Sequence, residues 1–201
     1  MSNSAGAGPA RPGATTTKAY LQIAAFAAVQ AVIIIALAPL TPHIAAWFPP
    51  AYALVAFVQT LLIFTARRFT GIRWGATLAA GLTAAVCGPF TAIGWLLAVP
   101  LMAAGALFDV VVAVADRRGW NAHTDSLVAG VLVGAGLFVV SLPVMSLDHL
   151  GPLVVILTLV ARIVASWAGA FLSARLVDRL EHVGVSRARR APAASVGTER
   201  V

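Results

Sequence analysis

Charge is the scarcest feature of this chain. Only 10% of its 201 residues are Asp, Glu, Lys or Arg, against about 25% in an ordinary soluble domain. So few charges cannot give a globule of this size a polar skin, which excludes a soluble fold and leaves a bilayer as the solvent that accepts an apolar exterior. Cysteine is nearly absent too: Cys87 stands alone, so no internal disulfide can form. The chain lacks the GxxxxGK[ST] loop that cradles nucleotide phosphates, so it cannot couple ATP hydrolysis to anything by itself. It also lacks HExxH and GxSxG. Its four histidines, His43, His123, His149 and His182, lie in four separate regions without metal-ligand spacing. Of its seven acidic residues, Asp109 is the one inside an apolar run. A membrane hydrolase or lipid-head transferase needs two acids, or a nucleophile with a base, at one depth. That pattern is missing, so no catalytic residue and no metal site is assigned and the chain is not expected to be an enzyme.

What is present is apolar sequence, 60% of the whole. A helix needs about 20 apolar residues to cross a hydrocarbon core of about 30 Å. Six stretches qualify, at 19–40, 50–66, 74–90, 93–115, 125–145 and 151–175, the second and third on the short side. They predict an all-α integral membrane protein, a bundle of about six transmembrane helices in one domain over 19–180. Residues 1–18, rich in Ala, Gly, Pro, Ser and Thr, are expected to be a disordered tail and not a secretory signal. Residues 181–201 form a basic tail. Gly88-Pro89 separates the third span from the fourth, while Pro100 and Pro143 fall inside spans and are expected to kink them.

The cations set the orientation. Of the 14 Lys and Arg residues, all but Arg162 fall before the first span, between the second and third, between the fourth and fifth, or after the sixth. The opposite loops hold none. The positive-inside rule places that side, and both termini, in the cytoplasm of a multi-pass cell-membrane protein. The net charge of +7 then reflects arginines beside anionic headgroups and calls for no nucleic-acid partner.

Asp109 and Arg162 are the two ions placed in hydrocarbon, where each is costly unless paired or hydrated. They are either ligand-binding or proton-relay groups, or a structural ion pair, or side chains snorkelling to the interface. Gln30 and Gln59 sit deep in the first two spans, where a ligand contact and an interhelical hydrogen bond are the two readings. Trp47, Trp74 and Trp95 fall at span ends, as aromatic belts do. Trp167 lies within the sixth span, five residues beyond Arg162, and its flat ring suits stacking on a heteroaromatic ligand as well as plain packing. Small residues recur at four-residue spacing at Ala24/Ala28, Ala27/Ala31, Gly130/Gly134 and Ala165/Gly169/Ser173. Such rows let helix backbones approach, either within this bundle or, for the first span, against a separate membrane subunit. The loop over residues 39–52, stiffened by prolines and carrying His43, Trp47 and Phe48, is either a connector or a cap over an outward-opening site.

Four segments carry a family likeness: WFPPAYALVAF, RRFTGIRWGA, LMAAGALFDVVVAVADRRG and VVILTLVARIVASWAGAFLSARLVDRLEHVGV. Over roughly residues 18–185 the chain resembles the substrate-binding S component of energy-coupling factor (ECF) vitamin transporters, nearest the hydroxymethylpyrimidine/thiamine type. The resemblance implies a subunit that captures a small vitamin or precursor from outside. Its partners would be a transmembrane T component and two cytoplasmic ATPase subunits. ATP is then used by those partners and this chain needs no cofactor. The resemblance implies substrate contacts from Trp47, Trp95, Asp109, Arg162 and Trp167, and partner docking through Ala24, Ala28 and Ala31. It departs from the thiamine type at residues 81–88, GLTAAVCG, where relatives carry acids and this chain has none. A small secondary carrier or a membrane scaffold without a vitamin ligand is the alternative. A carrier would show an inverted repeat with broken helices at matching positions, and the sequence offers no such repeat beyond Pro100 and Pro143.

Overall fold

The computed structural model describes residues 12–91, 93–142 and 151–185. Within them the apolar runs form seven α-helices: α1 Pro12–Leu37, α2 Thr41–Trp47, α3 Pro49–Thr70, α4 Gly75–Cys87, α5 Ala98–Arg118, α6 Ala122–Ser141 and α7 Pro152–His182. Two 3-10 turns, Gly88–Phe90 and Gly94–Leu97, join α4 to α5. No strand occurs among the described residues. Five helices are long and apolar enough to cross a membrane, and α4 is a shorter apolar one. The bundle of about six apolar helices expected from the sequence is therefore the fold, with α2 as an extra short element in the 39–52 loop.

Local chemistry explains most of the boundaries. Prolines occupy the first turns of α2, α3 and α7, where a missing N–H is harmless. Asn121 starts α6, its side chain accepting from the Thr124 N–H at 2.8 Å, the usual N-cap geometry. Gly71 ends α3 at φ 67°, a left-handed position that favours glycine. Pro100 does not kink a span. It lies in the first turn of α5, where proline is compatible with a helix start. Pro143 lies outside the described residues. α1 begins at Pro12, so residues 12–18 continue the first helix instead of belonging to a tail. At the other end α7 runs on to His182.

α7 packs along both α3 and α6, α4 packs on α5, and α1 packs on α3 and α4. Small residues permit these contacts. A Cβ at Gly130 would lie 2.5 Å from the Trp167 Cβ, and one at Gly134 would lie 2.6 Å from the Ile163 Cα. The Gly130/Gly134 row is thus the seam between α6 and α7. Gly105 likewise meets the Ala76 backbone across α5 and α4, where a Cβ would come within 2.9 Å. Without a hydrophobic force between helices in lipid, this close backbone approach is what dispersion requires.

Polar groups fasten the same contacts. Gln30 is fully buried and bridges α1 to α3: its Nε2 donates to the Val58 carbonyl at 3.0 Å and its Oε1 accepts from the Leu62 N–H at 3.2 Å. Thr83 donates to the Ala27 carbonyl at 3.3 Å. Ala27 and Ala31 face inward, 3% and 1% exposed, whereas Ala24 and Ala28 face outward. Ala31 therefore does not belong to an external docking row. It sits in the core beside Cys87, whose Sγ lies 3.6 Å from its carbonyl.

Candidate functional site

The helices alternate in direction, so all described arginines except Arg162 gather at one end of the bundle. That end is tied together by ion pairs. Arg67 Nε lies 3.1 Å from Asp109 Oδ1, Arg67 Nη2 lies 3.6 Å from the exposed Asp116, and Arg68 Nη2 lies 2.7 Å from Asp125 Oδ2. Arg68 also stacks over the Phe108 ring at 5.3 Å, and Phe108 stacks on Phe64 at 4.0 Å.

Asp109 has a specific duty there. α4 has 13 residues and is about 20 Å long at 1.5 Å per residue, well short of a hydrocarbon core. Gly75 and Ala76 of its first turn are buried, and its free N–H groups need an acceptor inside the protein. Asp109, reaching across from α5, accepts from Ala76 N at 3.2 Å, Thr77 N at 2.8 Å and Thr77 Oγ1 at 2.7 Å. A carboxylate at a helix N-terminus also meets the positive end of the helix dipole. Asp109 therefore caps α4 and pairs with Arg67. It is not a partner of Arg162.

At the end of the bundle opposite the arginine cluster lies a cavity of about 210 Å³, lined by Ile34 and Ala38 of α1, Thr41 and Pro42 of α2, Tyr52 and Gln59 of α3, and Thr91, Ile93 and Leu97 of the α4–α5 connection. The 39–52 segment thus supplies one wall through α2. Tyr52 and Gln59, seven residues apart on α3, share a face by helical periodicity. The polar groups here are under-used. Thr91 Oγ1 is buried without a hydrogen-bond partner, and the Gln59 amide makes no hydrogen bond among the described residues. Thr41, by contrast, donates to the Ala38 carbonyl at 2.9 Å.

Arg162, on α7, is not among the residues that line this cavity. It is 9% exposed, and its Nε is buried without a hydrogen-bond partner. No carboxylate lies within ion-pair distance of it among the described residues.

The other predicted contacts lie elsewhere. Trp47 ends α2 with 94% of its surface exposed, away from the cavity. Trp95 is 64% exposed and packs its ring over Gly88, where a Cβ would come within 2.9 Å. Its neighbours Ile93 and Leu97 line the cavity and it does not. Trp167 is wedged against Gly130 in the α6–α7 seam and stacks on Phe171 at 5.8 Å. None of the five predicted contacts lines the cavity. Tyr52 and Thr91 were missed. The signal for Gln59 was its polarity inside an apolar run, whereas Tyr52 and Thr91 lie near helix ends, where polar residues are ordinary. Among the described residues no three His, Cys, Asp or Glu side chains come together to hold a metal.

No family model and no curated protein matches this sequence. Among solved structures, the bundle is similar to one described as the crystal structure of an S-component of ECF transporter. The TM-score is 0.74 at 19% identity, over 84% of this chain and 86% of that one. The all-helical bundle described above therefore has the fold of that S component.

Proposed function

We propose that this chain is the substrate-binding membrane subunit of an ATP-driven ECF-type importer for a small vitamin or vitamin precursor. The observation that carries the reading is a partly polar cavity of about 210 Å³ at one end of a bundle that shares its fold with an S component over 84% of the chain. The cavity opens at the end opposite the arginine cluster, which under the positive-inside rule faces outward. Capture from outside requires that arrangement. The arginine-rich end then faces the cytoplasm, where a T component and two ATPase subunits would supply the work. This chain binds no ATP of its own in that scheme. The outward-facing pair Ala24 and Ala28 on α1 offers a flat surface for the T component.

Hydroxymethylpyrimidine and thiamine are the first ligands to try, from the sequence resemblance. The test is a tryptophan-fluorescence titration of the purified protein in detergent with thiamine, hydroxymethylpyrimidine, riboflavin, biotin, pyridoxine, pantothenate and niacin. Saturable quenching by one of them at nanomolar concentration is expected. Silence across the panel, repeated in a thermal-shift screen, removes the vitamin reading and favours a carrier or scaffold without a vitamin ligand.

A further inference from the structure

Gln30 and Gln59 lie deep in two helices that pack together, α1 and α3, and the fold uses only the first. Gln30 engages the α3 backbone with both ends of its amide, at Val58 and Leu62. Those two bonds bracket Gln59 and hold the stretch of α3 that carries it against α1. Gln59 itself lines the cavity, half-buried, and makes no hydrogen bond to any described residue. A carboxamide holds a carbonyl acceptor and two N–H donors in one plane, and inside a membrane bundle each is costly to leave unmet. Gln59 lies two turns beyond Tyr52 on α3, about 10 Å along the helix axis, and Tyr52 is the nearer to the helix start at Pro49. Gln59 is therefore at the deep end of the cavity, with Tyr52 towards its mouth. On the wall contributed by the α4–α5 connection, the Thr91 hydroxyl adds a second polar group, buried and without a partner. Ile34, Ile93 and Leu97 complete the lining with apolar surface.

Resting on the importer reading, we infer that Gln59 is the specificity-determining residue of the cavity. The ligand presents to it an N–H donor and an acceptor on one edge, as an aminopyrimidine, a cyclic amide or urea, or a primary carboxamide does. The match is geometric. A carboxamide and such an edge form two hydrogen bonds in one plane, as when glutamine or asparagine reads adenine. Turning the amide over swaps its donor and acceptor, so either order along the edge is accepted. A ligand that offers only acceptors, or only carbon, leaves part of the Gln59 amide unmet and binds weakly. The Thr91 hydroxyl takes one further polar atom of the ligand, and the apolar walls cover the faces of its ring. Size agrees: about 210 Å³ is room for roughly seven water-sized groups at about 30 Å³ each, a single small ring with a short arm.

The test is isothermal titration of the full-length protein in nanodiscs, comparing each compound with an analogue that keeps its shape and loses the donor. Hydroxymethylpyrimidine and thiamine are set against analogues with methyl in place of the ring amino group. Nicotinamide is set against methyl nicotinate, and biotin and riboflavin against derivatives methylated at a ring N–H. Nicotinate, pyridoxine and pantothenate, which carry no N–H beside an acceptor on one edge, complete the panel. One compound should bind at least about 30-fold more tightly than its analogue, the usual consequence of leaving a buried polar group unmet. Gln59→Leu should bring that compound down to the affinity of its analogue while the melting temperature stays unchanged, and Thr91→Val should weaken it about fivefold. The comparison of compound and analogue needs no variant, so it stands even where Gln59→Leu fails to fold. Equal binding of compound and analogue, tight binding confined to nicotinate, pyridoxine or pantothenate, or a Gln59→Leu protein that still discriminates overturns this inference and leaves the importer reading standing. A panel in which nothing binds overturns both.

Discussion

Replacing Asp109 by Ala separates a structural from a ligand-binding role for the acid inside α5. The carboxylate holds two backbone N–H groups of α4, the Thr77 hydroxyl and Arg67 Nε, at 2.7–3.2 Å. Removing one partner of a buried ion pair costs about 3–5 kcal/mol, and each buried donor left without an acceptor adds about 1–3 kcal/mol. These terms are not additive here, because Arg67 can lean on the exposed Asp116 at 3.6 Å. A net loss of about 4 kcal/mol is expected. At roughly 2–4 °C per kcal/mol for a protein of this length, the melting temperature in detergent should fall by about 8–16 °C. Asp109→Asn keeps an acceptor for α4 and loses the charge, so it should fall about half as far. Arg67→Ala should cost less in the Asp109→Ala background than alone, since the pair is then already broken. Differential scanning fluorimetry of the purified variants reads all of these. An Asp109→Ala protein that melts within 2 °C of the wild type and has lost ligand affinity would refute the capping argument.

Five further outcomes follow from particular positions. Gly134→Leu should prevent a folded bundle from being recovered, because its Cβ would start 2.6 Å from the Ile163 Cα; size-exclusion profiles in detergent read this, and a monodisperse wild-type-like peak would contradict the packing. Gln30→Leu should destabilise by about 1–3 kcal/mol through two lost backbone contacts, whereas Gln59→Leu should leave the melting temperature unchanged and lower ligand affinity. Ala31→Leu should destabilise the isolated protein, since its site is 1% exposed. Ala28→Leu should leave fold and ligand binding intact while reducing co-purification with the T component.

The bundle could be read before any coordinates because it rests on one-dimensional quantities. The scarcity of charge, the lengths of the apolar runs and the placement of arginines each follow from transferring a segment into hydrocarbon, a cost computed residue by residue. The Gly130/Gly134 row announced a close helix contact, though not that α7 was the partner. Prolines misled at Pro100, because a helix start and a helix interior look alike until the preceding turn is seen. At the site, legibility fell away. Asp109 and Arg162 stand out equally as ions in apolar runs, and the sequence offers no way to tell a satisfied charge from an unsatisfied one. That difference lies in whether an acceptor or donor from another helix arrives within about 3 Å, as Arg67 and Thr77 do for Asp109 and as no described carboxylate does for Arg162. The Ala rows of α1 show the same limit: Ala24/Ala28 and Ala27/Ala31 have identical spacing, and only the position of α4 turns one pair inward. Sequence alone determined that the chain carries several helices long and apolar enough to cross a membrane and which of their ends are basic, because partition depends on composition. Tertiary structure alone decided which ion caps a helix and which meets no described carboxylate, because pairing depends on distances between residues far apart in the chain.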